Sequence, residues 1–417
     1  MENNQPQKTL VVIGGGAAGF FCAINAAKEK GLKVILLEKS SKLLSKVKIS
    51  GGGRCNVTHA CFSIAEMSNK YPRGKQFVKK TFHQFFTKDT IEWFENHGVP
   101  LKAEADGRMF PTTDSSQTII DCLLNEAGKK HVEIRMNAEV KEIKKEKGQF
   151  KIRLSQDRYL HADFVTIACG GYPKSSSFDW LKDLGHSIEE PVPSLFTFNI
   201  PKHPITELMG ISVPASQVKI PGTKLKENGP ILITHWGLSG PVTLRLSAWG
   251  ARELQEKNWH FPIQINWVPE YNDVSLREKF QELRIEKASQ KVSGKNHFGL
   301  PGRLWDFLLK EAGINPETRW AELPAKEQNK FIKNLCAYEL AAKGKTTFKE
   351  EFVTAGGVLL SEVDTQTMMS KKMENLFFAG EILNVDGITG GFNFQNAWTT
   401  GYIAAQGVIG VLSFQDF

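Results

Sequence analysis

The apolar positions of the chain follow two rhythms. Thr9–Ile13, Val34–Leu37, Ala162–Ile167 and Leu376–Ala379 are short, largely apolar runs, the pattern of strands buried on both faces. Phe20–Lys30, between the first two runs, is Ala-rich and reads as a helix, as does Ser115–Glu126. Residues 77–97 carry Phe82, Phe85, Phe86, Ile91, Trp93 and Phe94 at helical spacing, which predicts one amphipathic helix with a core-facing stripe. Val132–Arg135, Ala138–Lys144 and Phe150–Leu154 read as strands, and the last two alternate in and out like a β-meander. From Pro191 onwards, prolines at 193, 201, 204, 214, 221, 230, 241, 262 and 269 punctuate short β-like runs. Helical patterns follow at Leu276–Lys287, at Pro301–Glu311 with Pro at the start, and at Lys326–Leu340. Phe348–Val353 and Gly356–Val358 return to strand, and a last helix opens at Gly390–Gln395 and runs to about Ile409. This alternation predicts an α/β fold with a doubly wound sheet formed by residues 1–190 and 346–417. The segment between them reads as an insertion, with 191–270 a β-barrel or sandwich and 271–345 a small helical domain.

Glycines sharpen the first strand–helix–strand unit. Gly14, Gly16 and Gly19 fit G-x-G-x-x-G directly after the first strand, and Glu38 closes the second strand about 20 residues later. Gly14 makes the turn, Gly16 lets the backbone approach a pyrophosphate, and Gly19 lets the helix close on the strand. The helix N-terminus offers N–H groups to phosphate. A carboxylate at Glu38 can hold both ribose hydroxyls and would repel a 2′-phosphate, which favours FAD or NAD over NADP. The alternative is a Gly-rich turn in an ordinary βαβ unit. A second glycine run, Ser50-Gly51-Gly52-Gly53-Arg54-Cys55-Asn56, means backbone pressed against something. Ala168-Cys169-Gly170-Gly171 ends the third buried strand in small residues, at the edge where a dinucleotide lies in such sheets.

Composition leaves this picture intact and adds charge. The chain has 417 residues, 41% hydrophobic and 24% charged, with a formal net charge of +8. That balance admits a polyanionic partner. The densest basic stretch, Asn69–Lys80, interleaves Lys70, Arg73, Lys75, Lys79 and Lys80 with Tyr71 and Phe77, as a nucleic-acid surface does. Its plainer reading is a solvated helix start. The run Lys141, Lys144, Lys145, Lys147 reads as the solvated end of a hairpin. No run reaches the ~20 apolar residues of a membrane helix. Met1–Lys8 is polar, and none of the 6 cysteines is spaced C-x-x-C. Reduced thiols in a cytoplasmic protein are therefore expected, with no metal site.

Four motifs now stand in order: GGGAAG with Glu38, SGGGRCN, THWGLSGP at 234–241, and AGEILNVDGITGGFNFQNAW at 379–398. Together they resemble the BaiN/YhiN-type family of NAD(P)/FAD-dependent oxidoreductases, over essentially the whole chain. The resemblance implies a glutathione-reductase-like FAD-binding domain with an inserted β-barrel and helical unit. It implies that Gly14, Gly16, Gly19 and Glu38 hold the ADP half of FAD, with Ala18 and Lys39 also binding the cofactor. Gly52, Gly53, Arg54, Asn56, Val140, Gly170 and Gly171 are expected near the cofactor, and Gly380 with Glu381 at the ribityl chain. Gly391, Phe392 and Asn393 start a helix facing the flavin pyrimidine, where a helix N-terminus favours negative charge. Asn384 stands where the family commonly has Asp, and Cys169 where it has Thr.

Arg54, Cys55 and Asn56 are the candidates for the reacting face. Reducing a polarised C=C bond needs a proton donor opposite the flavin, a role open to Cys55, with Arg54 stabilising a developing enolate-like oxygen. Alternatively Arg54 clamps the pyrophosphate and Cys55 packs. His235 is a candidate to cover the substrate or a structural histidine. Only one dinucleotide fingerprint is present, so NAD(P)H would act as a transient electron donor. The family resemblance implies reduction of conjugated C=C bonds, in steroid-type enones or in a uridine of ribosomal RNA, and the basic balance favours the RNA. The alternatives are a small-molecule enone reductase, an amine oxidase, or a non-catalytic flavin-bearing RNA-binding or redox-sensing protein.

Overall fold

Hydrogen bonding joins the apolar runs into one parallel sheet. In the computed structural model, which describes residues 7–346 and 353–415, five strands lie in the order Leu376–Phe378, Phe164–Ile167, Lys8–Ile13, Leu32–Leu37, Glu133–Arg135. All neighbours are parallel, with Val12 opposite both Thr166 and Leu36. Leu10, Val11, Val12, Phe164, Val165 and Phe377 are buried, as a sheet covered on both faces requires. The helix Ala17–Ala26 crosses between the first two strands and packs on the last helix, Phe392–Gln415. The meander Val140–Glu146, Gln149–Leu154, Tyr159–Ala162 forms its own antiparallel sheet.

The chain divides into two compact units, Met1–Val192 with Val353–Phe417, and Pro193–Phe352. The second unit is a seven-stranded antiparallel sheet with helices Asp273–Glu286, Gly302–Ala312 and Ala325–Cys336. One hydrophobic core, including Phe261, Ile263, Trp267, Phe280, Trp305 and Phe331, runs through sheet and helices alike. Residues 271–345 therefore share the sheet's core and do not form a domain of their own.

Two predicted helices are redrawn. The span 77–97 is two helices, Lys75–Thr81 and Thr87–Asn96. The Asp89 carboxylate accepts a hydrogen bond from the Phe86 N–H at 2.7 Å, starting a new helix there. The helix expected to reach Leu340 stops at Cys336, and Tyr338–Lys343 pairs antiparallel with His260–Asn266. Tyr338, Leu340 and Ala342 alternate inward, a period of two that the preceding helical pattern masked. Of the strand expected at Phe348–Val353, only Val353 is described, opening the strand Val353–Val358; 348–352 lie outside the described residues. No described helix is long and apolar enough to cross a membrane. No group of His, Cys, Asp and Glu among the described residues is placed to hold a metal ion.

Candidate functional site

The first loop is built by backbone contact. Gly14 has φ +118° and donates its N–H to the Leu37 carbonyl at 2.7 Å. A Cβ at Gly14 would overlap the Ala168 carbonyl, and one at Gly19 would overlap the Gly14 carbonyl. A Cβ at Gly16 would meet nothing within 4 Å. The helix starting at Ala17 has no side-chain cap, so its N–H groups face open space at Gly16. Glu38 sits beside them: Oε2 accepts from Gly15 N–H at 2.9 Å, and Oε1 from the Ser40 N–H at 2.9 Å and hydroxyl at 2.8 Å. An anion-attracting helix end, an open glycine and an oriented carboxylate fit the ADP half of a dinucleotide. Lys39 is exposed, its ammonium 5.6 Å above the Tyr172 ring. Val140 is half-buried near Glu38, whose carbonyl accepts from the Ala138 N–H at 2.9 Å.

The far end of the chain reaches the same helix. A Cβ at Gly380 would lie 2.8 Å from that of Ala18. The Glu381 carboxylate accepts from the Thr354 N–H at 2.8 Å and from Lys46 Nζ at 2.5 Å. A Cβ at Gly171 would lie 3.1 Å from Glu381 Oε1, and one at Gly170 lies 4.0 Å from Oε2. Cys169, between strand and glycines, accepts from the Tyr172 hydroxyl at 3.2 Å, and burial pushes its thiol up to about 11.

The second loop is held by side chains. The helix Ser45–Gly53 loses helical geometry at Ser50, and Gly51 and Gly52 take φ of +57° and +70°. Gly52 and Gly53 are exposed, and a Cβ on either would meet nothing within 4 Å. Arg54 turns aside to an ion pair with Glu104 at 2.6 Å, its guanidinium 4.0 Å over the Phe110 ring.

Cys55 also takes a left-handed backbone, φ +62°, with its N–H on the Ser50 carbonyl at 3.0 Å. Its side chain is 0% exposed. Burial pushes its thiol up to about 12. Burial of this kind is what the packing alternative expects.

Asn56 joins the two ends of the chain. Its side-chain carbonyl accepts from the Gly391 N–H at 2.9 Å and its amide donates to the Thr58 carbonyl at 3.0 Å. Around this bridge, Trp398 Nε1 donates to the Val57 carbonyl at 2.9 Å and Thr58 Oγ1 to Gln395 Oε1 at 2.6 Å. Tyr71 donates to the Phe392 carbonyl at 2.6 Å, and Asn393 exchanges two 2.8 Å hydrogen bonds with the backbone of Gly387. Phe392 is buried and stacks on His59. Arg73 makes a two-pronged pair with the fully buried Asp386, Nε to Oδ1 at 2.6 Å.

His235 belongs to the second unit. It is exposed on the turn after Lys226–Thr234, edge-on to Trp236 at 4.4 Å. Lys46, Tyr71, Arg73, Glu104 and Thr354 hold the loops, and the sequence reading gave them no place at the site. Their partners lie far along the chain, so no local spacing marks them.

A parallel sheet carrying this glycine loop, acid and helix end is that of an FAD-binding flavoenzyme, and the chain is an FAD-dependent oxidoreductase. It belongs to the family described as the HI0933-like protein Rossmann domain, whose model matches residues 8–407. It is 30% identical over 413 residues to the ribosomal RNA dihydrouridine synthase of Escherichia coli, covering 97% of this chain and 98% of that one. It is 28% identical over 405 residues to the 3-dehydro-bile acid delta(4,6)-reductase of Clostridium scindens, covering 95% and 97%. Among solved structures, 3-ketosteroid delta1-dehydrogenase from Sterolibacterium denitrificans shares the fold, with TM-score 0.54, 11% identity and coverage of 97% of this chain and 100% of that one.

Proposed function

We propose that this protein reduces a C=C bond conjugated to a carbonyl, and that its substrate is a uridine of ribosomal RNA, converted to dihydrouridine. Forming dihydrouridine saturates the uracil C5=C6 bond, conjugated to the C4 carbonyl. A 3-dehydro steroid with delta(4,6) unsaturation presents the same kind of conjugated bond. The two full-length relatives thus share one chemistry and differ in substrate. The observation that favours RNA is charge: the chain carries +8, and the exposed Lys75, Lys79 and Lys80 form no ion pair with a described residue.

In this reading Gly14, Gly16, Ala18, Gly19, Glu38, Lys39 and Val140 hold the adenosine and pyrophosphate. Gly170, Gly171, Gly380 and Glu381 border the middle of the cofactor. Gly52, Gly53, Asn56, Gly391, Phe392 and Asn393 shape the flavin end. When bound, FAD supplies the electron pair that saturates the bond, replenished by NAD(P)H. The protein contributes the uncapped start of the helix Ala17–Ala26 for negative charge and a glycine floor that lets a planar ring approach the backbone.

The test is mass spectrometry of nucleosides from ribosomal RNA incubated with the flavin-loaded protein and NADH or NADPH. Uridine gaining two hydrogens is the expected result. Unchanged RNA with turnover of a steroid enone would transfer the assignment to a small molecule.

A further inference from the structure

The basic stretch does more than raise the net charge. Lys75 and Lys80, on the helix Lys75–Thr81, line a groove of about 510 Å³ with Gln76. The opposite wall carries Ser361, Thr365 and Lys371. Asp364 is the one carboxylate among the lining residues, and its Oδ1 accepts from the Gln366 N–H at 2.8 Å. The ammoniums of Lys75 and Lys80 form no ion pair with a described residue. Lys371 donates to the Ser361 carbonyl at 3.0 Å, which leaves its charge uncompensated there.

The other lysine-rich run is different in kind. In the hairpin, Lys141 pairs with Glu139 at 2.6 Å, Lys144 with Glu142 at 2.9 Å, and Lys145 with Glu374 at 3.8 Å. Two lysine-rich runs therefore yield a largely ion-paired surface in one place and a cationic groove in the other.

The groove is also tied to the second loop. A Cβ at Gly74, on its rim, would lie 2.6 Å from the Val385 side chain. The Ile388 N–H donates to the Lys70 carbonyl at 2.9 Å, and Tyr71 bonds the Phe392 carbonyl. The segment 70–74 thus runs along the 385–392 loop that ends at Gly391.

We infer that this groove is a docking site for the phosphate backbone of RNA, with Lys75, Lys80 and Lys371 contacting phosphates next to the nucleotide that enters the flavin end. The inference rests on the RNA reading above. Three lysines lining one open groove, two of them without an ion pair to a described residue, suit a polyanion, whose binding releases counterions and falls with salt.

The experiment uses the flavin-loaded full chain and a ribosomal RNA transcript, with affinity measured across a salt series. Lys75→Gln, Lys80→Gln and Lys371→Gln combined should lower the magnitude of the slope of log affinity against log salt by about 2. Lys141→Gln with Lys144→Gln should leave it unchanged. Flavin absorbance and NAD(P)H-driven bleaching are the controls for fold and cofactor, and should match the parent in both variants. An unchanged slope in the groove variant overturns the inference, as does an equal drop in the hairpin variant. Loss of bleaching in the groove variant with its RNA slope intact also overturns it, assigning the groove to the dinucleotide donor. Absence of dihydrouridine with the parent protein overturns the functional reading alone, since the slope comparison still decides the groove.

Discussion

The two glycine loops do the same kind of job by different means. At Gly14 and Gly19 the strand, the helix and the neighbouring Ala168 carbonyl are in backbone contact, so neither position has room for a side chain. At Gly51–Gly53 all three glycines turn left-handed and Gly52 and Gly53 are open, while the support comes from Asn56, Tyr71, Trp398 and the Arg73–Asp386 pair. The first loop is fixed by close backbone contact at Gly14 and Gly19. The second is positioned by a network that reaches it from the opposite end of the chain.

The comparison can be broken most directly at Gly19. Gly19→Ala should destabilise the protein by about 4 kcal/mol or more, read as loss of soluble protein or a collapsed urea midpoint. A normally stable, yellow variant would mean that the first loop has slack. In the second loop the equivalent weak point is a side chain. Asp386→Ala deprives the Arg73 guanidinium of its buried carboxylate and should cost about 3 kcal/mol in urea unfolding, with Asp386→Asn recovering part of it. Gly52→Ala should be milder. Its Cβ enters open space, so only the left-handed φ is penalised, at about 1 kcal/mol, and flavin retention should fall more than stability does. A stability loss matching that of Gly19→Ala would erase the distinction between the loops.

Cys55 gives the smallest effect and the sharpest control. Cys55→Ala should keep flavin and turnover, and iodoacetamide should label Cys55 only after unfolding. Its native thiol stays protonated up to about 12, whereas an ordinary thiol ionises near 9.0. The unfolded chain therefore loses that proton first as pH rises, so this contribution to stability is intact below 9.0 and is lost towards 12. Alkaline unfolding of Cys55→Ala should accordingly be less steep. Lost turnover with flavin retained would restore Cys55 to the reacting face.

What could be read from sequence follows the same division. The first loop's determinants lie between Gly14 and Glu38, close enough for spacing alone to reveal strand, turn, helix and acid. The buried strands were equally legible, because largely apolar runs leave few alternatives. The second loop was legible only as a run of glycines needing an explanation. That Arg54 turns to Glu104, and that Cys55 points inward, depends on left-handed backbone angles at Gly51, Gly52 and Cys55 that residue type does not specify. The break at Phe86 hinged on one carboxylate, Asp89, reaching back to an N–H. Tyr338–Lys343 became a strand because a sheet edge was available to it, which outweighed the helical pattern before it.

Asn56, Val57 and Thr58 find their partners on the last helix, with Thr58 and Gln395 separated by 337 residues. A ribosome releases the fingerprint early and the helix Phe392–Gln415 near the end of synthesis. The glycine fingerprint is thus available to the nascent chain long before the partners of Asn56, Val57 and Thr58 exist. Closing so long a loop is slow relative to local folding, which makes the positioning of the second loop a late event and couples it to the arrival of the final helix. A chain interrupted after the second unit would carry an intact glycine fingerprint and a second loop with no network to hold it.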